Sequence, residues 1–191
     1  MIKIPSSQVL DYITKHLTYS PHTGVLCKDG KPIGSKRKKD DCIIFRLTIG
    51  KSAEGYSIMY SGYVPQVGWY LTYGVWPDKF IDHIDGNPTN NKLSNLRLAT
   101  PEQNSHNQRK VGSMTTSKYK GVQKVNNRWR AYITYQGKML HLGYHTTEEE
   151  AALAYDTKAV EVFGLYAKCN FGTNSAVSSE MRQLCLPWMT E

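Results

Sequence analysis

Apolar positions change period several times along the chain, and each change marks an element. Val9, Leu10, Ile13 and Leu17 recur at roughly helical spacing behind Ser6-Ser7, so residues 1 to about 20 predict a short amphipathic helix. From Thr23 to Tyr63, β-type runs (Gly24 to Leu26, Ile43 to Ile49, Tyr56 to Tyr60) alternate with glycine turns and predict a small antiparallel sheet. Val64 to Trp76, with Val67, Trp69, Tyr70, Leu71 and Val75, predicts a helix packed beneath the segment that begins at Phe80. Phe80-Ile81 run apolar into Asp82-His83, the turn formers Asp85-Gly86-Asn87-Pro88 come next, and Leu93, Leu96 and Leu98 mark a second extended segment. Thr100 reads as an N-cap, with Pro101 at the first helical position and Gln103 completing a capping box, which puts Asn104 on the first turn of a helix.

The pattern then changes in kind. Residues 111–117 are small and polar, as in a linker, and separate residues 1–110 from 118–171. Gly121-Val122, Arg128 to Tyr135 and Lys138 to Tyr144 predict three strands, with Asn126-Asn127 and Gln136-Gly137 as turns. On the middle strand Ala131 and Ile133 share one face; Arg128, Arg130, Tyr132 and Thr134 share the other. Thr147 and Glu150 form a second capping box, opening a helix to Phe163 whose stripe of Ala152, Tyr155, Ala159 and Phe163 suits the apolar sheet face. Residues 172–191, with Leu184, Leu186 and Trp188, read either as a tail or as a segment that packs back on a domain.

Charge sharpens this division. The net charge is +8, and between Glu102 and Glu148 there is no acidic residue, while Arg109, Lys110, Lys118, Lys120, Lys124, Arg128, Arg130 and Lys138 are basic. Interleaved with Tyr119, Trp129, Tyr132 and Tyr135, that run suits a polyanion, and a sheet of this kind can read base edges in the major groove of duplex DNA. Lys36 to Lys39 read as a solvated loop, with phosphate contact as the alternative. No apolar run reaches the roughly 18 residues needed to span a bilayer, and residues 1–5 lack a signal-peptide core, so an intracellular protein without a membrane partner is expected. Cys27, Cys42, Cys169 and Cys185 form no C-x-x-C pair, so reduced thiols are expected rather than a zinc finger.

The chemistry concentrates between residues 82 and 104. A strand, a loop, a second strand and the start of a helix can bring Asp82, His83, Asn95 and Asn104 to one point. Asp82 offers a charged oxygen and Asn104 an amide oxygen to a hard divalent ion, Mg2+ or Mn2+, with water and phosphate oxygens completing the octahedron. His83 can take the proton from an attacking water, and the amide or backbone carbonyl of Asn95 can fix its tautomer.

The run Asp82-His83-Ile84-Asp85-Gly86, Asn90-Asn91, Asn95-Leu96-Arg97 resembles the phage-type HNH homing endonucleases. The resemblance implies His83 as general base, Asn95 as its orienter, and Asp82 with Asn104 as metal ligands; His106 is the alternative to Asn104. Residues 118–171 resemble the plant ethylene-response-factor (APETALA-two) type of DNA-binding domain through Tyr119-Lys120-Gly121-Val122, Arg128 to Ile133, Leu142-Gly143, Glu149 to Ala152, Ala154-Tyr155-Asp156 and Ala167 to Phe171. That likeness implies DNA contacts at Lys120, Gln123, Arg128, Thr134 and His141; the basic-aromatic face adds Arg130 and Tyr132, and the basic run adds Lys124. The expectation is an α+β chain: a ββα-metal nuclease module, then a three-stranded antiparallel sheet packed on one helix. It is expected to cut duplex DNA in a phage-infected or bacterial cell without a small-molecule cofactor, and no oligomeric state is implied. The rival readings are a DNA-binding protein with an inactive HNH scaffold and a nuclease directed at RNA.

Overall fold

A computed structural model describes residues 4–106 and 116–171. Arg109, Lys110, most of the expected linker, the tail with Cys185, and the side chain of His106 lie outside the described residues. The chain divides into two compact units, Met1–Pro101 and Glu102–Glu191.

In the first unit, helix α1 (Ser7–His16) buries Val9 and Ile13. It ends where Leu17 turns to extended backbone and opens β1 (Leu17–Ser20), so the helical reading up to residue 20 overran by one strand. β1, β2 (Val25–Lys28) and β3 (Lys31–Ile33) form one antiparallel sheet in that order. The chain turns at Gly34 (φ +119), and β4 (Ser35–Lys36), β5 (Ile43–Lys51) and β6 (Ser57–Tyr63) form a second, so two small sheets stand where one was expected. Helix α2 (Val64–Tyr73) packs beneath them, and Val9, Ile13, Leu17, Leu26, Phe45, Ile49, Val64 and Val67 make a common core.

β7 (Phe80–His83) and β8 (Leu96–Ala99) then pair as an antiparallel ribbon with Asp82 opposite Arg97 and His83 opposite Leu96. Leu93 to Asn95, read as extended, form a 3-10 turn, because the Leu93 amide is drawn to the Pro21 carbonyl and the Asn95 amide to that of Lys92. Helix α3 (Pro101–His106) comes next and carries Asn104.

The second unit is a sheet in the order β11-β10-β9, made of β9 (Val122–Val125), β10 (Arg128–Tyr135) and β11 (Lys138–His145), with α4 (Glu148–Phe163) on one face. Gln136 and Gly137 both have positive φ, which the tight turn between β10 and β11 needs. Ala131 and Ile133 are buried against Ala151, Ala152, Tyr155 and Ala159 of the helix. The Thr147–Glu150 capping box forms in both directions. Buried Asp156 accepts from the Asn170 and Phe171 amides, and the Asn170 side chain exchanges two hydrogen bonds with the Lys120 backbone, at 2.7 and 3.1 Å. Thr116 and Ser117, assigned to the linker by sequence, belong to this unit: Thr116 accepts from the Lys124 amide and buried Ser117 donates to Glu148. Among the described residues, no helix is long and apolar enough to cross a membrane.

Candidate active site

Strand alternation turns Asp82 inward, where it is 5% exposed, and half-buries His83. The ribbon register sets Arg97 opposite Asp82, and its Nε and Nη2 reach Asp82 Oδ2 at 2.8 and 2.7 Å. A carboxylate this deep is tolerated because a cation compensates it.

His83 Nε2 lies 2.9 Å from Asn91 Oδ1, and Asn91 is 3% exposed. A carbonyl oxygen accepts, so Nε2 carries the proton and the lone pair of the neutral ring falls on Nδ1. The side-chain amide that meets the His83 ring is that of Asn91, where the sequence reading had the amide or backbone carbonyl of Asn95. The side chain of Asn95 is spent on the loop: Oδ1 accepts from the Asp85 amide at 3.0 Å, and Nδ2 donates to Asp85 Oδ1 at 3.0 Å and to the Asn90 carbonyl at 2.8 Å. Its own carbonyl accepts from the Ile84 amide, so the 3-10 turn points this amide at the loop instead of the ring.

Asp85 organises the same loop, accepting from the Asn87 amide and from Asn90 Nδ2. Partial burial pushes the Asp85 carboxyl up, but the hydrogen bonds from Asn90, Asn87 and Asn95 and the neighbouring His83 outweigh it and hold the group below its ordinary value. Sequence reasoning passed over Asn91, Asp85 and Arg97, although all three lie within the motif. Arg97 comes into play through the register of the two strands, which sets it across from Asp82.

Among the described residues, no three His, Cys, Asp or Glu side chains cluster as a preformed metal cage. What is present fits a hard cation completed by water and substrate oxygens: one buried carboxylate that already attracts a guanidinium. Asn104 is half-buried on α3, beyond the division between the units.

In the second unit Gln123, Lys124, Arg128, Thr134 and His141 are exposed, whereas Lys120, Arg130 and Tyr132 are half-buried. The Arg130 guanidinium lies 5.1 Å from the Tyr132 ring centroid and donates to Gln123 Oε1 at 2.9 Å. Lys124 Nζ stands 5.6 Å from the Trp129 ring centroid. Desolvation, and then the charge of Lys168, lower the pKa of Lys120. His141 Nδ1 accepts from the Gly143 amide.

The family model described as HNH endonuclease matches residues 60–106, which contain the whole β7–β8–α3 segment. "Protein 3.8" of Escherichia phage T7 is 41% identical over 103 residues, 52% of this chain and 84% of the phage protein. The chain belongs to the HNH endonuclease family. An uncharacterised HNH endonuclease of Acanthamoeba polyphaga mimivirus is 44% identical to this HNH protein over 94 residues, and the match spans 48% of the viral protein's length. Its C-terminal region also matches plant factors: an AP2-like ethylene-responsive transcription factor of Arabidopsis thaliana is 49% identical over 63 residues, 31% of this chain and 18% of the plant protein.

Proposed function

We propose that this HNH protein is a divalent-metal-dependent DNA endonuclease whose C-terminal sheet unit places the cut. The observation that carries the reading is the 2.9 Å contact between His83 Nε2 and Asn91 Oδ1, one residue from a buried carboxylate. His83 is the general base that takes a proton from the attacking water at Nδ1, and the resulting imidazolium is steadied by the Asn91 carbonyl on Nε2. Asp82 would hold Mg2+ or Mn2+, which when bound would polarise the phosphate and stabilise the leaving oxygen. Arg97 aligns Asp82 through its two hydrogen bonds to Oδ2.

The sheet unit supports targeting because the face turned away from α4 carries Arg128 and Arg130 with Gln123 opposite Arg130, and the Arg130 fork is held by Gln123 and Tyr132. Duplex DNA is thus the proposed partner, and the interior of a phage-infected or bacterial cell the proposed setting. The test is nicking of plasmid DNA with and without Mg2+ or Mn2+. His83→Ala is expected to cut about 100-fold to 10,000-fold more slowly while binding DNA as the wild type does. Wild-type cleavage by that variant would remove His83 from the mechanism. Failure of the unaltered protein to cut, with DNA binding intact, would leave an inactive scaffold.

A further inference from the structure

β1 and β2 meet at a turn, Pro21 to Gly24, that lies against the segment carrying Asn91. Gly24 has φ +74, and a Cβ there would stand 2.3 Å from the Asn91 carbonyl carbon and 2.5 Å from the Lys92 nitrogen. Only glycine permits that approach. Beside it the Leu93 amide donates to the Pro21 carbonyl at 2.9 Å. Tyr19 of β1 donates its hydroxyl to the Asn91 carbonyl oxygen at 2.5 Å. The Tyr19 ring in turn lies against Gly68 of α2, where a Cβ would come within 2.6 Å of a ring carbon.

The backbone around Asn91 is thus fixed by groups from residues 19–24, outside the region that matches the family, while its side chain reaches His83. We propose that Tyr19 is a positioning residue of the nuclease site, which sets the Asn91 amide and through it the tautomer and orientation of His83. The proposal rests on the reading of His83 as general base. Its logic is the two-sidedness of an amide: Oδ1 toward Nε2 keeps the proton there, whereas Nδ2 toward Nε2 would move the ring proton to Nδ1 and block the base. A backbone held on several sides keeps Oδ1 inward. Burial, with a smaller contribution from Tyr73, pushes the Tyr19 hydroxyl up to about 12, so it remains a donor at neutral pH.

The test is a double-mutant cycle in the full chain, read by single-turnover plasmid cleavage and by the 15N signals of the His83 imidazole. Tyr19→Phe keeps the ring against Gly68; it is expected to slow cleavage about tenfold, or ~1.4 kcal/mol of barrier, with DNA affinity unchanged. An Nδ1-protonated form of His83 should appear in its spectrum. In an Asn91→Ala background the same change should add nothing. Additive losses, or an imidazole spectrum like that of the wild type, would overturn the proposal. If Tyr19→Phe does not fold, Gly24→Ala displaces the same peptide from the other side and carries the same expectations. Absence of cleavage by the unaltered protein would instead sink the nuclease reading, and the imidazole spectra would still decide whether Tyr19 governs His83.

Discussion

Arg97 donates twice to one oxygen of Asp82 across the β7–β8 ribbon, and the two side chains are only 15% and 6% exposed. Such a pair is costly to break from one side, because the remaining charge stays buried. Arg97→Ala is expected to destabilise the first unit by about 3 to 5 kcal/mol. Urea unfolding of the two proteins measures it, and a loss below about 1 kcal/mol, the range of exposed pairs, would mean that Asp82 is not held by this contact.

Asn91 and Asn95 should fail in different ways. Asn95→Ala removes three side-chain hydrogen bonds from the loop, so stability is expected to fall by about 1 to 3 kcal/mol for a donor or acceptor left buried without a partner. Asn91→Ala is expected to slow cleavage and displace the pH-rate profile through the His83 tautomer. Thermal unfolding and pH-dependent single-turnover rates separate the two effects, and interchangeable behaviour would refute the assignment of roles.

Asp85 predicts a specific acid sensitivity. Its folded carboxyl lies below the ordinary value, so the unfolded chain takes up the proton first as pH falls. The contribution to stability is present in full above the unfolded value of about 3.9, and is lost as pH falls on through the folded one. Urea midpoints between neutral pH and pH 3 should therefore drop more steeply for the wild type than for Asp85→Asn. Parallel curves would assign the acid loss to other carboxylates.

On the sheet unit, Arg130→Ala is expected to weaken duplex binding and, if Arg130 meets a phosphate, to reduce the log-log salt slope by about 0.9. If it reads a base, discrimination at one position should drop by roughly 1 to 3 kcal/mol while the slope stays the same. Gln123→Ala should matter chiefly when Arg130 is present, since Gln123 holds the guanidinium at 2.9 Å. Electrophoretic shifts across a salt series report both quantities, and unchanged affinity in both variants would move DNA binding off this face.

The second unit was legible because its signals are local and redundant. Alternation on β10 assigned its two faces, and Thr147 with Glu150 marked the helix start to the residue. At the candidate site, residue types were legible but partners were not. Asn90, Asn91 and Asn95 offer the same amide, and which of them meets His83 depends on the backbone of a 3-10 turn anchored by Pro21, far away in sequence. The support from Tyr19 was hidden for the same reason: its hydroxyl meets a backbone carbonyl, and carbonyls carry no sequence signature. The split into two N-terminal sheets turned on Gly34, one glycine among several in a run of short strands.

The Asn170 side chain binds the Lys120 backbone at both its N–H and its carbonyl, while Asp156 anchors Asn170 from within. Lys120 and Asn170, fifty residues apart, are therefore tied side by side by the unit's own groups. A body whose entrance and exit coincide can be spliced onto an unrelated gene product without stretching either partner.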